Sequence, residues 1–383
     1  MIHATARRRL WGPLGALLVC GLFAAPAAAG EVDDLCKKGV ELLEQGKADA
    51  AIAEFDAVIK RVPNAADPYY YRGNAYSRKG DVERALADYN RALVLDPKLI
   101  AAYINRGAAF SDRGEFDAAI DNYNRALELN PKLTDALINR GFTYTAKGQP
   151  DRAIADYTEA IRINPQEVDA FVKRAATYTD QGAYDKAMAD FEVALRLSPK
   201  DADIYDLRGN CQHHKGELDK AIADYSQAIV LDPSHGDAYL GRGAAYEEKS
   251  QYDKAIADFN AAIHLNPRDS EAFYNRGNVF SDKGDFEHAI ADYTESIRLN
   301  AKDADALINR GIAYKKQQQW DKAIADFTQA LGLDKANAET YTLRGDAYEK
   351  KGDKEKARAD FASAKALKAE QPSAGTAKTP AEK

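Results

Sequence analysis

The sequence predicts an all-α fold. The prediction rests on three series of residues that share one period. Prolines recur every 34 residues, and so do two separate series of glycines. A fixed interval of this length is typical of one supersecondary unit copied along the chain. The prolines are Pro63, Pro97, Pro131, Pro165, Pro199, Pro233 and Pro267. The first glycine series runs from Gly39 to Gly345, with Ala175 at one position, and the second from Gly46 to Gly352, with Ser250 and Gln318 at two.

Residues 66–99 show how one copy folds. Asp67 and Pro68 are typical of the first turn of a helix, where proline loses no hydrogen bond. Tyr69, Gly73 and Tyr76 follow at helical spacing and predict one packed face. The copy therefore begins with an amphipathic helix that carries a small residue where another helix can approach closely.

The second half of the copy predicts a turn and a second helix. Gly80 ends the first helix, and Asp81 opens the next. Because the residue before a proline avoids the helical region, Asp96 and Pro97 end the second helix. Its predicted buried stripe is Leu86, Tyr89 and Leu93. Each copy is thus a helical hairpin.

The pattern of Tyr69, Arg72, Gly73 and Tyr76, followed by Ala85, Tyr89 and Pro97, resembles the tetratricopeptide repeat. The array covers residues 30–371. This resemblance implies a right-handed α-α superhelical solenoid whose first helices line a concave groove. Ten copies can be counted, at residues 32–65, 66–99, 100–133, 134–167, 168–201, 202–235, 236–269, 270–303, 304–337 and 338–371.

The last copy differs from the others at its core positions. Lysine or arginine stands where the preceding copy has Trp320, Ile324 and Leu331. A terminal repeat has no following neighbour, so its outer face must be polar. The last copy is therefore predicted to cap the array, with polar residues Lys354, Arg358 and Lys365. The remaining residues, 372–383, are small and polar and predict a disordered tail.

Residues 1–29 predict a secretory signal peptide. Arg7, Arg8 and Arg9 precede an uncharged apolar run, which ends at an A-x-A site formed by Ala27–Ala29. An uncleaved membrane anchor is the alternative, although the run is short and interrupted for a span. Cleavage predicts an exported protein of bacterial type, periplasmic or secreted. It would also change the formal net charge from −7 to −10.

Composition excludes several classes of function. The hydrophobic share of 45% argues against a disordered chain, and the net charge of −7 argues against nucleic-acid binding. Three cysteines exclude a disulfide-dense scaffold. Cys36 and Cys211 lie five repeats apart and are interpreted as small buried hydrophobic residues. The adjacent His213 and His214 lack a third ligand, so no metal and no cofactor are predicted.

Two charged series recur in phase with the hairpins. An arginine at position seven of every copy except the first, which has Lys38, is followed sixteen residues later by an acid or asparagine, as in Arg72 and Asp88. We interpret these as structural pairs between the two helices of a hairpin. Acids also begin the first helices, as at Asp67 and Asp203. They favour either helix-dipole complementation or an acidic ridge for a basic partner.

The resemblance implies that positions five and nine of the first helices project into the groove. Apolar residues and amides at these positions suit an extended peptide or a helix. Some family members clamp a C-terminal carboxylate with two asparagines and flanking cations, but Tyr70 and Tyr274 stand where cations are needed. The predicted partner-binding residues are Tyr70, Asn74, Ile104, Ala108, Ile138, Val172, Asn210, Leu240, Tyr274, Asn278 and Ile308.

No catalytic motif interrupts the repeats, and no catalytic residue is predicted. The sequence therefore indicates a non-enzymatic scaffold or adaptor that binds protein or peptide partners in the groove. A module that binds cell wall or glycan is the alternative, because tyrosines and asparagines also suit sugars. After signal cleavage no stable membrane span is expected. The identity of the partner and any self-association stay open.

Overall fold

The computed structural model describes residues 26–370, which form two compact units divided between Pro199 and Lys200. All the secondary structure described in this range is helical. The first unit holds α1 (Pro26–Glu44), α2 (Ala48–Arg61), α3 (Ala66–Arg78), α4 (Val82–Leu95), α5 (Ile100–Asp112), α6 (Phe116–Leu129), α7 (Thr134–Ala146), α8 (Pro150–Ile163), α9 (Val168–Asp180) and α10 (Tyr184–Leu197).

The second unit repeats the arrangement with ten more helices. They are α11 (Ala202–His214), α12 (Leu218–Leu231), α13 (Gly236–Glu248), α14 (Tyr252–Leu265), α15 (Ser270–Asp282), α16 (Phe286–Leu299), α17 (Ala304–Lys316), α18 (Trp320–Leu333), α19 (Ala338–Lys351) and α20 (Lys354–Glu370). Within each unit, every odd-numbered helix packs against the next helix to form a hairpin, and each hairpin packs against its successor. The predicted all-α array of helical hairpins is confirmed.

The core of each hairpin is formed as the residue pattern predicts. In the second hairpin, Leu86, Tyr89 and Leu93 are buried. A Cβ atom built on Gly73 would lie 2.7 Å from Tyr89 Cε1, so glycine lets the ring pack closely against α3, and only the fifth repeat has alanine, Ala175, at this position. The buried Ala85 completes the close approach of α3 and α4. Because the same glycine and aromatic ring recur in most repeats, the hairpins share one core.

The turn within each hairpin requires a left-handed residue. Gly80 has φ +77°, and the Asp81 N–H donates to the Tyr76 carbonyl at 2.9 Å. Ser250 and Gln318 adopt positive φ at the equivalent positions. The Gln251 N–H donates to the Tyr246 carbonyl at 2.8 Å, so the turn keeps its hydrogen bonds without glycine. A left-handed conformation costs a non-glycine residue about 1 kcal/mol, which the packed hairpin tolerates.

The ends of the chain agree with parts of the sequence interpretation. Lys354, Arg358 and Lys365 are exposed on α20, as a capping repeat requires. Most of the predicted signal peptide and the predicted tail, residues 372–383, lie outside the described residues. The predicted cleavage site Ala27–Ala29 lies within α1. No helix in the described range is long and apolar enough to cross a membrane.

Candidate partner-binding face

The first helices of the hairpins contact one another in succession within each unit, from α1 to α9 and from α11 to α19. We call the surface that carries their positions five and nine the first-helix face. Asn74 and Ile138 are buried there. The other predicted partner-binding residues are half-buried, namely Tyr70, Ile104, Ala108, Val172, Asn210, Leu240, Tyr274, Asn278 and Ile308. The face thus offers side chains that are only partly covered by their own unit.

Four polar side chains form a hydrogen-bonded cluster on this face in the first unit. Asn74, which is 2% exposed, accepts at Oδ1 from Tyr89 Oη and from Asn105 Nδ2, both at 2.8 Å. Asn105 Nδ2 also lies 3.2 Å from Tyr70 Oη. Burial raises the pKa of Tyr70 and of Tyr89, so both phenols are neutral at physiological pH. Asn105 therefore joins two successive repeats through their side chains.

The same cluster recurs six repeats later in the second unit. Asn278 Oδ1 accepts from Tyr293 Oη at 2.8 Å and from Asn309 Nδ2 at 3.1 Å. Asn309 Nδ2 lies 3.1 Å from Tyr274 Oη. The sequence singled out these asparagine pairs as the amide half of a carboxylate clamp. The structure brings each pair together, but the amides bond to each other and to tyrosines.

The equivalent positions of the sixth and seventh repeats carry different side chains. Asp206 replaces the tyrosine of position five, and Gly241 replaces the asparagine that would join the next repeat. Asn210 Nδ2 lies 3.3 Å from Asp206 Oδ2, and Tyr225 Oη donates to Asn210 Oδ1 at 2.9 Å. Asp206 is only 3% exposed, and its Oδ1 has no hydrogen-bond partner among the described residues.

Electrostatics at Asp206 follow from this burial. Burial raises the pKa of Asp206 to about 7, and the charges of Asp237 and Asp203 act in the same direction. His235 lowers it in part. The His235 ring is itself held by Asp203, whose Oδ1 lies 3.1 Å from Nε2 and raises the pKa of the imidazole. Three carboxylates, those of Asp203, Asp206 and Asp237, therefore act on one another here, and one oxygen of Asp206 has no donor among the described residues.

The recurring arginines are held within the array. Arg72 donates from Nε and Nη2 to the two carboxylate oxygens of Asp88, each at 2.7 Å, which confirms the predicted pair. Its Nη1 donates to Asp56 of the preceding repeat at 2.6 Å. Arg72 thus ties two hairpins together, and the same holds for Arg106, Arg140, Arg174, Arg242, Arg276, Arg310 and Arg344. The equivalent second partners are Asn90, Asn124, Thr158, Ser226, Asn260, Thr294 and Thr328.

Sequence reasoning missed this second partner, although a signal was present. In the first nine copies, position 25 holds a side chain that can accept a hydrogen bond. The last copy has Ala362 there, and no further repeat follows it to supply an arginine. Bonding to Asp156 raises the pKa of Arg140, whereas burial lowers the pKa of Arg106, whose partner is Asn122. The arginine row is accordingly structural and not a set of ligand-binding cations.

The sequence also singled out two cysteines and two adjacent histidines. Cys36 and Cys211 are buried, as predicted. His213 Nε2 lies 2.7 Å from Glu248 Oε1. Among the described residues, no group of three or more His, Cys, Asp or Glu side chains could hold a metal ion.

Comparison with known families identifies the repeat. Models described as tetratricopeptide repeat match residues 36–100, 100–133, 134–167, 236–269, 304–337 and 338–371, and a model described as TPR repeat matches 177–216, 209–250 and 277–318. The chain belongs to the tetratricopeptide repeat family. This tetratricopeptide repeat fold supports a role in protein–protein interaction.

The first of three similar solved structures supports the fold. The crystal structure of a tetratricopeptide repeat protein from Parabacteroides merdae ATCC 43184 is 22% identical, covers 68% of this chain and 99% of its own, and has a TM-score of 0.53. Yeast Tom70 is 16% identical over 88% of this chain and 92% of its own, with a TM-score of 0.46. YrrB, described as a TPR protein with an unusual peptide-binding site, is 26% identical over 48% of this chain and 95% of its own, with a TM-score of 0.39. A search of curated proteins finds no match.

Proposed function

We propose that this tetratricopeptide repeat protein is a non-enzymatic scaffold that binds peptide or helical segments of partner proteins on the first-helix face. One observation carries the proposal. Within each unit, successive first helices present half-buried apolar and amide side chains at a regular interval. A partner segment that follows such a row can fill apolar sites with alternate side chains and satisfy its backbone with amides. The arginines, in contrast, are engaged within the array.

We also propose that the scaffold acts outside the cytoplasm. The support is the basic cluster, apolar run and A-x-A site of residues 1–29. The test is N-terminal sequencing of the protein recovered from the cells that make it. Export with cleavage predicts a chain that begins at Gly30 in the envelope or medium. A chain in the cytoplasm that begins at Met1 would contradict this part of the proposal.

The binding face can be tested with a matched pair of double variants. Ile104→Gln with Ile308→Gln removes apolar surface from the first-helix face. Val94→Gln with Val230→Gln makes the same kind of change on second helices, where these valines are 70% and 72% exposed. Tagged forms of both variants and of the unchanged chain are crosslinked in their native cells, and the captured proteins are identified by mass spectrometry.

We expect the partner crosslinks to be lost from the face variant and kept in the valine variant. Loss of one well-packed aliphatic contact costs about 1–3 kcal/mol, so two losses weaken binding by roughly tenfold or more. Equal capture by both variants, or capture of no protein above an untagged control, would overturn the proposal. Circular dichroism checks that both variants keep their helices.

A further inference from the structure

Two series of acids begin the helices of the second unit, and they differ in what they contact. One lies in the first turn of the first helices, and we call it the acidic row: Asp203, Asp237, Glu271, Asp305 and Glu339. The other lies in the first turn of the second helices: Asp219, Asp253, Glu287, Asp321 and Glu355. Both positions complement a helix dipole equally well. Helix stability alone therefore gives no reason for the two series to differ in their partners.

Three of these acids, Asp219, Asp253 and Asp321, are engaged by a lysine of the next repeat. Lys249 Nζ lies 2.5 Å from Asp219 Oδ1, and Lys283 Nζ lies 2.6 Å from Asp253 Oδ1. Lys351 pairs with Asp321 in the same way. The first unit shows the same ladder, for example between Arg113 and Glu83 at 2.7 Å. These carboxylates help to stack the repeats.

The acidic row is not engaged in this way. Asp237, Glu271, Asp305 and Glu339 are exposed, and in the part of the chain described by the structure none forms an ion pair with lysine or arginine. Asp203 contacts His235. Partial burial raises the pKa of Glu271, and the charges of Asp269 and Asp237 add to this effect. Asp237, Glu271, Asp305 and Glu339 therefore form a line of exposed carboxylates without a lysine or arginine partner among the described residues.

Asp206 adds a buried acceptor behind the row. It follows Asp203 by three residues, so both side chains lie on the same face of α11. The charges of Asp203 and Asp237 both act on its carboxylate, so the carboxylate lies close to the first two acids of the row. In the two tyrosine clusters, Asn105 and Asn309 supply the donor that joins the next repeat. Gly241 supplies none, and Asp206 Oδ1 is left without a hydrogen bond among the described residues.

We propose that the acidic row, together with Asp206, docks a basic segment of the partner, whose lysine or arginine side chains provide a donor for Asp206 Oδ1 and positive charges for Asp237, Glu271, Asp305 and Glu339. The inference rests on the proposed function and names the chemistry of its partner. Charge complementarity selects this occupant, because an apolar or acidic segment would leave Asp237, Glu271, Asp305 and Glu339 without a counter-charge and Asp206 Oδ1 without a donor. The exposed acids would meet the partner first, and Asp206 would accept from a side chain that reaches between α11 and α13.

The test uses the purified chain and a fluorescent peptide of alternating lysine and alanine. The row variant combines Asp237→Asn, Glu271→Gln and Asp305→Asn. The control variant combines Asp219→Asn, Asp253→Asn and Asp321→Asn, which removes the same charge from the same position of the second helices. Fluorescence anisotropy measures the affinity at two salt concentrations. Circular dichroism and urea unfolding check that each variant folds.

We expect the row variant to bind the peptide about tenfold more weakly, because three exposed ion pairs contribute about twofold each. The control variant should lose less than about twofold at the same salt concentration. Asp206→Asn alone should also weaken binding, since it removes the charge behind the row. Equal losses in the row and control variants would show a general charge effect and overturn the inference, as would an unchanged affinity in the row variant.

The same variants separate this inference from the proposed function. If the row variant still crosslinks its partners in cells at the first-helix face, the scaffold function stands and the basic partner is wrong. If the Ile104→Gln with Ile308→Gln variant keeps all its partners while the row variant loses them, the partner binds at the acids and the apolar face is wrong. If neither variant loses a partner, both proposals fail.

Discussion

Asn74 and Asn210 occupy the same position in two repeats, yet their surroundings differ. Around Asn74, two tyrosines and Asn105 satisfy each other's hydrogen bonds. Around Asn210, an aspartate and a glycine replace one tyrosine and the joining asparagine, and Asp206 keeps an unsatisfied oxygen. The helical framework is the same in both places. The comparison teaches that the repeat fixes where side chains stand, while single substitutions decide whether the face is complete or short of donors.

Asp206→Asn is the change with the largest expected effect, and the effect depends on pH. Burial raises the pKa of Asp206 to about 7, whereas an aspartate in an unfolded chain titrates near pH 4. The ionised form therefore destabilises the fold, and stability is lost as pH rises from about 4 to about 7. We expect asparagine to raise the free energy of unfolding by up to about 4 kcal/mol at pH 8 and by little at pH 4.

Urea unfolding of both proteins at the two pH values measures this difference. His235, Asp203 and Asp237 act on Asp206 and are present in both proteins, so subtraction removes their own titration. If the difference in stability between the two proteins does not change with pH, the Asp206 carboxylate is not destabilised by its surroundings. Its hydrogen bonding would then be as complete as that of the Asn74 cluster.

Gly241→Ala tests whether the missing asparagine could have been accommodated. A Cβ atom at Gly241 would lie 2.6 Å from Tyr225 Cε1, so the ring has to shift. We expect a loss of about 1–3 kcal/mol in the free energy of unfolding, as for other overpacked cores. Gly332→Ala is the control, because no atom lies within 4 Å of its Cβ position. The control should gain up to about 1 kcal/mol from helix propensity. An unchanged free energy of unfolding in Gly241→Ala would show that the Tyr225 ring is free to shift.

Asn105→Ala and Asn309→Ala test the two clusters in which the hydrogen bonds are complete. Each removes the donor that joins two repeats and leaves the oxygen of Asn74 or Asn278 with one bond fewer. We expect each variant to lose about 1–2 kcal/mol of stability in urea unfolding. The two losses should agree within about 0.5 kcal/mol, because the two clusters have the same four residues and similar distances. Clearly unequal losses would mean that the two clusters are not equivalent.

Much of the fold could be predicted because its signals are local and recur. The turn glycines, the buried stripe of Leu86, Tyr89 and Leu93, and the pair of Arg72 with Asp88 all follow from helical spacing inside one hairpin. The second partner of each arginine could not be predicted in this way, since it belongs to the neighbouring hairpin. The candidate face was located by resemblance, but the periodic pattern did not show that Asn74 and Ile138 are buried.

The sequence by itself determined the period, the helices, the turns, the polar last repeat and the pairing of helices within a hairpin, because each depends on residues a few turns apart. Only the tertiary structure decided which polar groups are already satisfied. It distinguished the lysine-paired acids such as Asp219 from the exposed acidic row, and the complete cluster at Asn74 from the incomplete one at Asp206. The physical reason is that satisfaction of a charge or hydrogen bond depends on the distance between neighbouring repeats, which a one-dimensional pattern does not contain.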